Sequence, residues 1–309
     1  MELKGQVVFT SGKHADYDIW CLNLESKEIK QLTFEDCDNN SPKWSPDGSK
    51  IVFVSNRTGT HELWLMNADG SDPKRLTDQD KYHAAPAWHP DGNQLVFCAN
   101  YSGNIDVYTM NVDGSYLTQI TDYEGMDYTP QYSPDGSKII YTTKKSGNPD
   151  IWVYDIASNK HTQLTEYEGR DYTPTFSPDG TAIAYICELW ADTGESDLEI
   201  YIMDADGGNR RRVTYHVGDD RFVTWSPDGK YLMYTSGETG AQVERLKVLN
   251  LTDGKSAEVE YSRALLENEI EAYARGHGLF DVLPIPESIL RMTYSKDYFG
   301  REKSPDWKF

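Results

Sequence analysis

Long apolar runs are missing from this chain: nowhere do 18 apolar residues follow one another, and the opening MELKGQVVFTSGKHADYD has neither the basic start nor the apolar core of an export signal. That excludes a membrane-inserted helix from the sequence as it stands and leads us to expect a cytoplasmic chain, although a periplasmic or secreted protein with its signal removed would read alike. Cysteine is scarce. Cys21, Cys37, Cys98 and Cys187 show no CxxC spacing, and most lie in apolar strand-like runs, which argues for buried reduced thiols and against a disulfide or zinc framework. Base is outnumbered by acid, 30 Lys plus Arg against 50 Asp plus Glu, and a net charge of −20 repels phosphate backbones and anionic lipid. We therefore expect no nucleic-acid partner and no membrane insertion. Neither a G-x-S-x-G elbow nor an H-E-x-x-H pair occurs.

What is present is repetition. DYTPQYSPDGSKIIY, from Asp127 to Tyr141, returns 44 positions later as DYTPTFSPDGTAIAY, and SPDG-type tetrapeptides begin at Ser45, His89, Ser133, Ser177 and Ser226. The steps are 44, 44, 44 and 49, a period that fits a blade of four strands. Each unit runs through a short segment ending in an aromatic, the SPDG turn, an apolar run, a polar loop, an alternating run, a second turn, and a short run ending in Leu-Thr, Ile-Thr or Val-Thr. In the turn, Pro sets φ while Asp-Gly supplies a side-chain acceptor and a permissive backbone. KIVFVS is apolar at nearly every position, as expected of a strand covered on both faces. From the start of the motif to the acid opening the third strand is 17 positions for Glu62, Asp106 and Asp150 but 22 for Glu199. The loop ELWADTGESDL thus carries the insertion.

These counts predict an all-β fold, a six-bladed β-propeller of four-stranded blades, with a seven-bladed ring as the alternative. The chain forms a single domain over 1–309, its units spanning about 1–37, 38–81, 82–125, 126–169, 170–218 and 219–261. The unit containing QVVFTS, DIWCLNL and KQLTF lacks a first strand, so pairing of the N- and C-terminal segments should close the ring and remove exposed sheet edges. DVLPIPESILRMTYS is the candidate closing strand, with IPES as a degenerate turn. SRALLENEIEAYARGHG, in the remaining 262–309, has near-helical apolar spacing and reads as a short inserted helix. The tail DYFGREKSPDWKF reads as a terminal strap.

The units SPKWSPDGSKIVFVSNRTGTHELWLMNADGSDPKRLT and TPQYSPDGSKIIYTTKKSGNPDIWVYD resemble the WD-repeat-related units of TolB-type β-propellers, which also occur in prolyl oligopeptidase and dipeptidyl peptidase propeller domains. The resemblance spans about residues 1 to 260. It implies fold more strongly than function, because propellers host binding proteins, lyases, hydrolases and scaffolds alike.

Six positions before each turn motif stand Asn39, His83, Asp127, Asp171 and Asp220, one per unit. In a propeller these positions form a ring at one channel mouth, joined there by Asp38, Asp219, Tyr128, Tyr172 and Arg221. Carboxylates held together repel unless a cation, a basic ligand or a shifted pKa compensates. The five are therefore candidate metal ligands, suited by their oxygen-rich set to Ca2+ or alternatively Mn2+, with Tyr128, Tyr172 and Arg221 as candidate ligand contacts. The competing reading makes each Asp a cap on the turn leading into its strand. Both stand at this point.

Other features read as structural. NADGSD, NVDGS and DADGG lack the EF-hand pattern and are hairpin turns. Trp44, Trp88, Tyr132, Phe176 and Trp225 read as packing between blades. The third-strand acids Asp18, Glu62, Asp106, Asp150, Glu199 and Glu244 read as solvent-facing edge or loop residues. The expected function is a non-enzymatic binding or scaffold module that takes a protein or small polar ligand at the channel mouth. The alternative is a metal-dependent lyase or hydrolase acting on a carbohydrate-type substrate, with His83 as base. It resembles the manganese-holding carbohydrate lyases among these propellers, although His83 is the one ring histidine and His277 is the other candidate.

Overall fold

Strand follows strand without a helix throughout the described residues of the computed structural model, which are 4–13, 16–78, 81–166, 169–190, 196–215, 218–237, 245–259 and 306–308. They form six antiparallel sheets of four strands. The second blade holds β4 (Asn39–Trp44), β5 (Lys50–Ser55), β6 (Glu62–Asn67) and β7 (Lys74–Arg75) in sequence order. β8 (His83–Trp88), β9 (Gln94–Ala99), β10 (Asp106–Asn111) and β11 (Thr118–Gln119) form the third. The fourth contains β12 (Asp127–Tyr132), β13 (Lys138–Thr143), β14 (Asp150–Asp155) and β15 (Lys160–Gln163). The fifth consists of β16 (Arg170–Phe176), β17 (Ala182–Trp190), β18 (Ser196–Asp204) and β19 (Arg211–Arg212). β20 (Asp219–Trp225), β21 (Tyr231–Gly237), β22 (Arg245–Asn250) and β23 (Ser256–Glu258) complete the sixth.

The first blade combines β1 (Gln6–Lys13), β2 (Asp16–Asn23) and β3 (Ile29–Gln31) with β24 (Asp306–Lys308), so the chain ends do close the ring. The closing residues differ from those expected. Val7 faces Trp307 and Val8 faces Asp306, the register in which Ile51 faces Trp44 and Val52 faces Lys43 in the second blade. SPDW is therefore the counterpart of SPKW, a first strand and not a strap. The proposed strand in 281–295 and the helix within 262–278 lie outside the described residues.

The second strand of each blade is buried almost throughout, as the apolar runs predict. The SPDG turns repeat one bonding scheme. Ser45 Oγ donates to Asp47 Oδ1 at 2.6 Å and accepts the Lys50 N–H at 2.9 Å, and the same pairs recur at Ser133, Ser177 and Ser226. His89 substitutes for serine in the third blade, and its ring lies edge-on to Tyr132. Gly136, at φ +71°, packs so closely there that a Cβ would collide with the His89 ring. The aromatic before each turn packs back on the preceding blade, Trp44 against Val8 and Ile19, Tyr132 against Val96 and Val107, Trp225 against Ile200. Trp88 Nε1 donates to the Lys43 carbonyl and Trp225 Nε1 to that of Thr175. All four cysteines are buried and none is in a disulfide among the described residues. Among the described residues no helix is long and apolar enough to cross a membrane.

Candidate functional site

Each first strand is broken at one place. Between Asn40 and Lys43, Ala84 and Ala87, Tyr128 and Gln131, Tyr172 and Thr175, and Arg221 and Thr224 the register shifts, with three steps on the first strand against two on its partner. That is a β-bulge in every blade from the second to the sixth. At its centre Ser41, Ala85, Thr129, Thr173 and Phe222 hold φ between 47° and 55°. Left-handed backbone is unfavourable for residues with a Cβ, most of all β-branched or bulky ones, at a cost of about 1–3 kcal/mol each. A proline follows in four of the five, Pro42, Pro86, Pro130 and Pro174. Having no N–H, it leaves no ladder donor stranded where the pairing lapses.

These bulges converge on the axis. Ser41, Ala85, Thr129, Thr173 and Phe222 line one open cavity at the centre of the ring, with Pro86, Pro130 and Pro174 beside them. Sequence reasoning missed this wall, and the available signal was the proline four positions before the SPDG-type proline in four of the five units, inside what was otherwise a strand. Beside it, Tyr128 and Tyr172 from adjacent blades come together, ring centroids 6.4 Å apart, and Tyr172 donates to Glu188 at 3.2 Å. Arg221 pairs with Asp219.

Asn39, His83, Asp127, Asp171 and Asp220 occupy equivalent places, one per blade, but are essentially fully buried. Each is directed into a blade junction. The N–H groups of His83, Asp127 and Asp171 donate to the carbonyls of His61, Ile105 and Pro149, each the residue before the preceding blade's third-strand acid. His83 Nδ1 lies 2.9 Å from the Lys81 carbonyl oxygen and Nε2 lies 2.7 Å from the Tyr101 hydroxyl, so both ring nitrogens are engaged inside the fold. Burial holds its pKa below the usual histidine value. Asp38, the neighbour of Asn39, meets His61 Nε2 at 3.3 Å. Among the described residues no three of His, Cys, Asp and Glu stand together as a metal-binding group.

The third-strand acids depart from expectation. Glu62, Asp106, Asp150 and Glu199 are buried, and Asp18 is partly so; Glu244 lies outside the described residues. The physical reason is a latch that repeats along the chain. Fifteen positions after each of the five acids from Asp18 to Glu199 stands a threonine, Thr33, Thr77, Thr121, Thr165 or Thr214, whose Oγ1 accepts the N–H of the residue after the acid at 2.9–3.0 Å. The same hydroxyl donates to the carboxylate of Asp18, Glu62 and Glu199. Thirteen positions after the acid, Gln31, Gln119, Gln163 and Arg212 donate to Asp18, Asp106, Asp150 and Glu199. Burial pushes Asp18 and Glu199 up to about 7 despite these donors. The Leu-Thr ending of each repeat thus ties the outer strand to the third. Thr33→Val, nearly isosteric, strands the Ile19 N–H and one oxygen of Asp18. It should cost about 1–3 kcal/mol, measured by urea unfolding.

The family model described as "TolB beta propeller domain" matches residues 4–85 and 80–190, and that of the "Tricorn protease N-terminal beta propeller domain" matches 146–276. Curated proteins give no match. Among solved structures, TolB from Acinetobacter baumannii superposes with a TM-score of 0.76 at 20% identity over 99% of this chain and 67% of that one. A propeller in a nidogen/laminin complex gives 0.65 at 14% identity, over 84% and 94%. An oligogalacturonate lyase solved with manganese gives 0.54 at 16% identity, over 82% and 73%. At such identities these likenesses speak to the fold alone.

Proposed function

As the chain belongs to the TolB β-propeller family, we propose that it is a binding module that receives a segment of a partner protein at the mouth of its central channel. The observation that carries this reading is the wall of five left-handed bulges. Strain repeated at one place in five blades, against a channel, is retained where a surface must be presented to something else. The paired rings of Tyr128 and Tyr172 offer flat, half-buried contact area beside it. Protein complexes among the structural neighbours, such as nidogen with laminin, are consistent with this use of the fold. The lyase reading draws no support from His83, which is fully buried with both ring nitrogens bonded inside the fold.

The test is site-directed photo-crosslinking. A crosslinker placed at residue 131, on the channel wall, should capture a defined partner, and one at exposed Lys160 on the outer strand of the same blade should not. Joint Tyr128→Ala and Tyr172→Ala replacement should weaken the purified complex by at least about tenfold, as loss of central aromatic anchors does. Manganese-dependent cleavage of oligogalacturonate that collapses in a folded His83→Ala variant would replace this reading with the enzymatic one.

A further inference from the structure

Among the described residues four cations lie over aromatic rings, and their other bonds differ. Arg57 sits over the rings of Trp64 at 4.5 Å and Phe53 at 5.5 Å, and its guanidinium is tied to Glu35, Asn39 and Ser55. Arg210 lies over Tyr201 at 4.6 Å and is bonded to Asp171 and Cys187. Arg212 covers Tyr215 at 4.8 Å and pairs with Glu199. A carboxylate therefore fixes each arginine. Lys145 is held differently. Its ammonium stands 3.5 Å from the Tyr123 ring centroid and 4.7 Å from that of Trp152, and it makes no hydrogen bond or ion pair among the described residues.

Lys145 and Arg57 share one register, twelve positions after the start of the turn motif, and Trp152 and Trp64 share another, nineteen positions after it. The slot over the third-strand tryptophan is thus a feature of the repeat, and what differs is the cation in it. Lys145 is exposed, in the turn between β13 and β14, so its withdrawal into water breaks only two ring contacts. The walls of the slot are anchored independently of it. Trp152 and Tyr154 of β14 are half-buried against the cluster of Val107, Ile139 and Tyr141. Tyr123, from the segment joining β11 to β12, stands edge-on to His161 of β15 with centroids 5.6 Å apart. His161 in turn stacks on Tyr154 at 4.6 Å, and its Nδ1 lies 2.8 Å from the Tyr141 hydroxyl. Rings braced in this way stay in place when the lysine leaves.

We propose that Tyr123 and Trp152 form a binding site for a methylated ammonium group, and that Lys145 is an internal cation occupying the slot until such a ligand displaces it. The site is built on the third strand of the fourth blade and the segment leading into that blade, so it stands apart from the channel wall and does not depend on a partner there. Its chemistry selects the ligand class. An unsubstituted ammonium or a guanidinium brings N–H donors that lose water on entry and need acceptors, and Lys145 finds none here. A methylated ammonium presents its charge through C–H groups and gains the attraction of both ring faces with no donor left unmet. Asp122 and Glu124, exposed on either side of Tyr123, add attraction at longer range, and the net charge of −20 acts in the same sense.

Lys145→Ala in the full chain removes the internal competitor at an exposed position, where substitution leaves the fold intact. Tetramethylammonium chloride is titrated into wild type and variant and followed by tryptophan fluorescence, with sodium chloride at the same ionic strength as reference. The variant should bind at least about threefold more tightly than wild type, because its slot is always open. In the Lys145→Ala background Tyr123→Phe should bind equally well, and Tyr123→Leu should bind roughly tenfold more weakly, having lost one ring face. Choline should bind and its uncharged carbon isostere should not. Comparing free choline with a peptide carrying trimethyllysine then tells a small-molecule source of the group from a side-chain source. Equal affinity in wild type and Lys145→Ala would overturn the proposal, and so would a response no larger than that to sodium or equal binding of the uncharged isostere. Should Tyr123→Leu fail to fold, magnetic-resonance contacts between the probe's methyl protons and the rings of Lys145→Ala decide the matter: contacts to Tyr123 and Trp152 are expected, and contacts to other rings alone would refute the site.

Discussion

Moving the protein from pH 8 to pH 5 is expected to raise its melting temperature by several degrees. Burial lifts Asp18 from 3.8 to about 7 and Glu199 from 4.5 to about 7, and Asp127 reaches about 6. Each group binds its proton more tightly when folded, so each contributes stability that is complete below its unfolded value and is lost as pH rises through the folded one. The window is therefore about pH 4 to 7. Asp47 and Asp135 act oppositely, held near 2 by their serine partners, but they are exposed and their loss is felt only in stronger acid. Net charge of −20 adds repulsion in the same direction as the buried acids, and salt separates the two. In 1 M salt the repulsive share should vanish while the buried share persists. A double Asp18→Asn, Glu199→Gln variant should flatten the remaining slope. A melting temperature that falls steadily from pH 8 to pH 5 would contradict this account.

The architecture could be read because the same unit is written five times in one register. A period of 44 with one five-residue insertion places every sheet, and the missing first strand of the leading unit announces that the ends must pair. The closing segment was harder. SPDW shares three letters with the turn motif SPDG, and the local match concealed the better one with SPKW, in which the tryptophan occupies the same register. The ring positions were found by spacing, yet their partners were not. The acid opening each third strand looks solvent-facing locally, and what makes its burial tolerable is a threonine fifteen positions on, across a turn. A short-range reading sees only half of that pair. The left-handed bulges were hidden for a different reason, since nothing about Thr129 or Thr173 favours positive φ. The surrounding sheet imposes it.

Deleting residues 304–309 should be the most damaging change of all. Among the described residues Asp306–Lys308 pair with β1, and they supply the innermost strand of the first blade and make the ring continuous. Without them β1 becomes an unpaired edge, and Val7 and Val8, now fully buried, lose the strand that lies alongside them. Val8 belongs to the same cluster as Trp44 and Ile51 of the second blade, so the damage reaches beyond one sheet. Loss of the strand also removes its contact with β20 of the sixth blade and uncovers the cluster in which Val7, Phe9 and Trp20 pack on Met233, Leu246 and Val248. A propeller interrupted at one seam loses the mutual bracing of all its junctions. We expect the melting temperature to fall by roughly 10 °C or more, equivalent to several kcal/mol for a chain of this size, with self-association through the exposed edge. A synthetic peptide covering 296–309 should restore stability in trans, and the recovery should grow with the logarithm of peptide concentration once binding is near saturation. The same peptide with Pro at position 306 should not, because Asp306 faces Val8 as Lys43 faces Val52, a position whose N–H belongs to the ladder. If the truncated chain melts where the intact one does, β24 is not what closes the ring.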